Sequence, residues 1–217
     1  MSSTPNDQAS LKPSAVLTGD IVGSRELGGS EITEIFQTLE RCAVTQAAWF
    51  DAPLNFTRHR GDGWQVVVNH SQYALRSAIA FRAALRGLGA GYDSYIGIAA
   101  GPIDTYGTDL NAETSEVFAR SGAALEDLKT HSTPRMAHAD PGPYNAATIL
   151  ADHLVQSWTT VQAQTVAAVL APDAPATHAQ IAERLGKSRQ AVTKALKAAG
   201  FDHLNLALAT LERDQSP

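Results

Sequence analysis

The sequence predicts an α+β fold: a split βαβ sheet domain followed by a small all-helical unit that contains a helix-turn-helix. Three observations carry this. Over residues 14–129 apolar strands and amphipathic helices alternate as strand, helix, two strands, helix, strand, helix. That order folds into a largely antiparallel sheet with its helices on one side. Two aspartates, Asp20 and Asp62, stand beside glycines where strands end or turn. From Ala146 the pattern is helical throughout, and Ala182, Gly186 and Val192 have helix-turn-helix spacing.

Taken in order, Met1 to Pro13 is polar, with no basic start followed by an apolar run. It reads as a disordered lead-in and not as a secretory signal. From Ala15 runs a short apolar strand that ends on Asp20 and turns through Gly23-Ser24. Ser30 is the expected cap of a helix from Glu31 to Phe50, whose Ile32, Ile35, Phe36, Leu39, Cys42 and Ala43 recur at helical steps. Strands follow at 55–60 and 64–68, joined by Gly61-Asp62-Gly63. An alanine-rich helix at 71–88 ends among glycines, a fourth strand spans 94–103, and a third helix runs from Glu113 to Lys129. Residues 130–145, with three prolines and no apolar period, read as a linker. Residues 146–217 form the helical unit, with the helix-turn-helix at 177–200, capped at Thr177 and again at Ser188.

Composition narrows the function. An apolar share of 44% is that of a globular chain, and no apolar run approaches the length of a membrane span. The single cysteine, Cys42, excludes an internal disulfide and sits at helical spacing with apolar neighbours, so it reads as structural. The histidines lack ligand spacing, and no zinc site is expected. Together these point to a cytoplasmic protein with no membrane partner. The net charge of −5 conceals an asymmetry. Between Thr177 and Gly200, Arg184, Lys187, Arg189, Lys194 and Lys197 face one acidic residue, Glu183. A small basic module on an acidic body suits a nucleic-acid partner.

Asp20 and Asp62 are the candidate metal ligands. Carboxylates at the ends of adjacent strands, beside a turn with free backbone N–H groups, suit a magnesium-bound phosphate. The plainer alternative is that Asp20 caps a helix and Asp62 is an ordinary hairpin tip. Arg58, four residues before Asp62, can hydrogen-bond a base or a phosphate. In the basic module, Ser188, Arg189, Gln190, Thr193, Lys194 and Lys197 are the candidate DNA-binding residues of the second helix. Arginine and glutamine read base edges in the major groove of double-stranded DNA, and lysines neutralise phosphates.

Gly19-Asp20-Ile21-Val22-Gly23-Ser24 followed by Gly61-Asp62-Gly63-Trp64 resembles the two metal-binding motifs of class III nucleotide cyclases. With Gln65 and Leu196-Lys197-Ala198-Ala199-Gly200-Phe201, the chain is more similar still to the SatD family of small bacterial proteins. The resemblance implies a ferredoxin-like, cyclase-palm sheet that binds a nucleoside triphosphate or related nucleotide with Mg2+ or Mn2+. Asp20, Asp62 and the Ile21 carbonyl would hold the metals, and Gly23 and Ser24 would face the phosphates. Arg58 falls where cyclases place a base-reading lysine. Reading Gly107–Ala112 onto the next cyclase motif gives Asp109 to the base and Asn111 to the transition state. The arginine expected four residues on is Ser115, and a second register offers only Arg120 nearby, so the catalytic set is incomplete. Shared cyclase sites and paired DNA half-sites both imply a homodimer.

Three functions are consistent with these residues. One is a regulator that senses a nucleotide and a metal and binds DNA. Another is an active nucleotidyl cyclase or nucleotidyltransferase making a cyclic or oligonucleotide signal. The third is a dimerisation scaffold that binds neither.

Overall fold

A computed structural model describes residues 13–59, 61–172 and 176–214. The expected lead-in, apart from Pro13, lies outside the described residues, as does Arg60. Five strands form one sheet: β1 (Ser14–Ile21), β2 (Asn55–Arg58), β3 (Gly63–Val68), β4 (Ser94–Gly101) and β5 (Met136–His138), in the order β2-β3-β1-β4-β5. The central β1 is antiparallel to both β3 and β4, and β2 is antiparallel to β3. The alternation read from the sequence therefore gives the split βαβ sheet, in a mixed α+β fold with eight α-helices among the described residues.

Helices α1 (Gly29–Phe50) and α2 (Ala74–Arg86) cover one face, where Ala15, Leu17 and Ile21 of β1 meet Trp64, Val66 and Val68 of β3. The pleat turns alternate residues the other way. Val16, Val67 and Ala99 pack instead against Val117 and Phe118 of α3 (Glu116–Lys129). Helices thus lie on both faces, which corrects the one-sided expectation. The reason is that β1 and β3 are apolar at every position over 15–17 and 66–68, so both faces need cover.

Residues 130–145, expected as a linker, contain β5, which pairs parallel with β4 through Ile96–Met136 and Ile98–His138. The cap of α1 is also corrected. Gly28, not Ser30, is the capping position, and Glu31 Oε2 accepts the Gly28 N–H at 2.9 Å from three residues on.

Helices α4 (Pro143–Ser157), α5 (Thr160–Ala167), α6 (His178–Leu185), α7 (Arg189–Ala198) and α8 (Phe201–Asp214) complete the chain. They do not build a core of their own. Val155, Trp158, Val166, Ile181, Val192, Leu196 and Leu208 join the same buried cluster as α1, α2 and the sheet. Each fully buried large apolar side chain contributes about 1.5–3 kcal/mol.

Ionic contacts reinforce the seam. Arg82 of α2 grips Asp93 with two bonds of 2.7 Å and also pairs with Asp152 of α4. Arg86 bonds Asp93 and the carbonyls of Gln156 and Trp158, while Arg135 reaches Asp93 at 2.8 Å. The Trp158 indole N–H donates to the Ala199 carbonyl at the end of α7. Arg76 of α2 holds Glu212 of α8 at 2.6 Å. No helix among the described residues is long and apolar enough to cross a membrane.

Candidate functional site

The carboxyl end of β1 is built by its neighbours. Trp64 lies across Gly19, where a Cβ would stand 2.1 Å from the indole, so only glycine fits there. The indole N–H donates to Ser94 Oγ at 3.0 Å, and Ser94 Oγ donates to the Asp20 carbonyl at 2.8 Å. The β2–β3 turn closes over the strand end, with the Ile21 N–H donating to the Asp62 carbonyl at 3.2 Å. Val22 N–H donates to the Asp93 carbonyl at 3.0 Å, which fixes the other side. Gly23 then turns through a left-handed conformation (φ 67°), a region that glycine enters without steric cost, into a short 3-10 segment, Ser24–Glu26.

These elements surround a cleft of about 740 Å3. Asp20, Ile21, Gly23, Ser24 and Asp62 all line it, so the two sequence motifs meet in space. The Asp20 and Asp62 carboxyls lie close enough to influence each other's ionisation. Burial raises the Asp20 carboxyl most; Lys129 opposes the rise and the Asp62 charge adds to it, leaving it above the usual carboxylate range. Burial alone would raise Asp62 too, but hydrogen bonds from the Ser24 hydroxyl and the Asp20 carboxyl outweigh it and lower it. The Ser24 hydroxyl donates a hydrogen bond to Asp62 Oδ2. Among the described residues, the N–H groups of Gly23, Ser24 and Arg25 have no acceptor.

Sequence reasoning missed Lys129, the last residue of α3. Its ammonium lies 3.0 Å from Asp20 Oδ2, and the bond to Asp20 holds its proton more firmly than usual. In sequence it reads only as a cation complementing a helix C-terminus. Tyr95, Arg25 and Glu26 also line the cleft and carry no local signal.

Four candidates lie elsewhere. Arg58 shares the face of Phe56 on β2, and its guanidinium stacks 3.8 Å above the Phe36 ring. Asp109 accepts the Asn111 N–H at 3.0 Å, capping a short turn that is stitched to β2 through Thr57. Asn111 Nδ2 donates to the Arg58 carbonyl at 3.4 Å. Arg120 pairs with Asp140 and donates to the Ala100 carbonyl at 3.2 Å. Ala100 is opposite Ala15, so Arg120 sits roughly 17 Å down the strand from Asp20 at 3.3–3.4 Å per residue.

Among the described residues, no three His, Cys, Asp or Glu side chains cluster as a self-sufficient metal cage. Two carboxylates with water, carbonyl and phosphate oxygens are nevertheless the ligand set that magnesium favours, and the donor set here fits it.

At the other candidate site, Gly186 takes a left-handed conformation (φ 61°) between α6 and α7, and Ser188 Oγ accepts the Ala191 N–H at 3.1 Å. Val192, Ala195 and Leu196 are buried. Arg189, Gln190, Thr193, Lys194 and Lys197 are exposed and line a shallow concavity of about 540 Å3. Thr193 Oγ1 is already bonded to His178 Nδ1 at 2.9 Å, tying the two helices together.

No family model matches the chain. No curated protein matches it either. Among solved structures, it is similar to the active GGEEF domain of a diguanylate cyclase from Vibrio cholerae. The TM-score is 0.46 at 15% identity, over 60% of this chain and 85% of that one.

Proposed function

We propose that the chain is a nucleotide- and metal-sensing regulator. In this reading the cleft takes the polyphosphate of a nucleoside triphosphate with magnesium or manganese, and the exposed face of α7 binds double-stranded DNA. The observation that carries the reading is the convergence of Asp20 and Asp62 in one cleft with the Gly23-Ser24 turn and Lys129.

Asp20, Asp62 and the Ile21 carbonyl would hold the divalent ion, whose bound charge offsets that of the phosphates. Ser24 fixes the Asp62 carboxylate through its hydroxyl. The unpaired N–H groups at residues 23–25 supply donors for phosphate oxygens. The likeness of Gly19–Ser24 and Gly61–Gln65 to class III cyclases and the SatD family supports the same assignment. Asp109, Asn111 and Arg120 lie outside the cleft, which favours binding over cyclisation within one chain. For α7, the exposed basic face at the second position of a helix-turn-helix supports duplex binding, with two copies meeting successive half-sites.

Titration calorimetry of the full chain with ATP and GTP, with and without magnesium, tests the cleft. Magnesium-dependent binding is expected, weakened at least about tenfold in Asp62→Asn, since one of two anionic ligands is lost. Equal affinity in the variant would sink the metal assignment, and product in the cell would replace sensing by catalysis. Duplex binding is read by fluorescence anisotropy against salt. Lys197→Ala should weaken binding on every sequence and lower the salt slope by about one. A wild type that shows no salt-dependent binding would remove the DNA half.

A further inference from the structure

Lys129 is, among the described residues, the one cationic side chain in ion-pair contact with Asp20 or Asp62. It has two resting partners: Asp20 Oδ2 at 3.0 Å and Glu126 Oε1 at 3.3 Å, one turn back on α3. The Lys129 side chain is 37% exposed and Glu126 71%, so the second partner lies out in solvent. A lysine head group on four methylenes swings between such positions at little cost.

Its present place is informative. Asp20 and Asp62 repel each other when both are ionised, and a positive charge on one of them relieves the repulsion. A divalent ion would do the same electrostatic work at the same oxygens. A bare divalent ion entering while Lys129 remains on Asp20 would be set beside an ammonium, and like charges at that range oppose each other. A triphosphate changes the balance, because it brings anionic oxygens that give the ammonium another partner.

We propose that Lys129 is a built-in counter-cation: it occupies Asp20 in the absence of ligand and moves onto the phosphates when a metal–nucleotide complex enters. This rests on the nucleotide–metal reading of the cleft and adds a selectivity to it. The site discriminates against a bare divalent ion and accepts the ion together with a nucleoside triphosphate. Lys129 is a specificity-determining residue in this scheme and performs no chemistry.

The test uses Mn2+ as the probe, with free ion followed by electron paramagnetic resonance, on full-length wild type, Lys129→Met and Lys129→Arg. Circular dichroism checks that each is folded, and Lys129→Arg keeps the charge should the neutral variant misfold. With Mn2+ alone, Lys129→Met should bind about tenfold more tightly than wild type, because a competing unit charge is gone. With Mn2+ and ATP or GTP, the same variant should bind nucleotide about tenfold more weakly, because a phosphate partner is gone. Lys129→Arg should follow wild type in both. Opposite signs in the two experiments are the signature of the exchange. If wild type binds Mn2+–nucleotide but Lys129→Met shifts both affinities in the same direction, or leaves Mn2+ binding unchanged, the inference fails and the cleft assignment stands. If wild type binds no nucleotide with Mn2+, the cleft assignment itself fails, and this inference fails with it.

Discussion

Two pairs of carboxylates among the described residues are neutralised in opposite ways. Asp93 and Asp152, both almost fully buried, are met by Arg82, Arg86 and Arg135: three guanidiniums for two carboxylates. Asp20 and Asp62, in an open cleft, have one lysine and one serine. Buried charge that is left uncompensated costs several kcal/mol, so the inner cluster must be closed by the protein itself. The cleft is open to solvent, and its shortfall of positive charge is tolerated because water screens it. The contrast separates an ionic group that holds the fold together from one left open to solvent.

The largest effect that would test this contrast is expected inside. Arg82→Met removes the guanidinium shared by Asp93 and Asp152 and should cost about 3–5 kcal/mol in a urea melt, as for breaking a buried pair. A loss under about 1 kcal/mol would mean that Arg86 and Arg135 suffice. Acid comes next. Burial alone would raise the Asp93 carboxyl, but Arg82 and Arg135 hold it down at about 2. Its folded value is therefore below its unfolded one. The stabilisation it gives, roughly 2 kcal/mol, is present in full above about pH 4 and is lost as the pH falls through about 2. Melts between pH 5 and 2 should show that fall, and should show it flattened in Asp93→Asn, itself less stable. The smallest change is expected in the cleft. Asp62→Asn should alter stability by no more than about 0.5 kcal/mol in the same melt, as for a partly exposed group outside the core. A loss above about 2 kcal/mol would erase the distinction between the clusters.

What the sequence revealed was local. The apolar runs of β1 and β3, the glycines around Asp20 and Asp62, and the break at Gly186 between two short helices each lie within a few residues of sequence. What it hid depends on distance or brevity. β5 has three residues, too few for a period, and exists because β4 offers an edge. The second helical layer was hidden because an all-apolar strand does not say what covers its other face. Lys129 reaches Asp20 only after α3 has run back along β4, and no short-range pattern records that return. The stacking of Arg58 on Phe36 was likewise out of reach of the sequence, because it joins β2 to a residue of α1 more than twenty positions away.

Trp158 has a wider reach than its burial suggests. Its indole N–H holds the Ala199 carbonyl, its own carbonyl accepts Arg86 at 2.8 Å, Arg86 bonds Asp93 at 3.2 Å, and the Asp93 carbonyl accepts the Val22 N–H. The C-terminal end of α7 and Val22, between two cleft-lining residues, are therefore the two ends of one strut, four hydrogen bonds long. The three side-chain bonds of the strut are buried, where a low local dielectric strengthens each one.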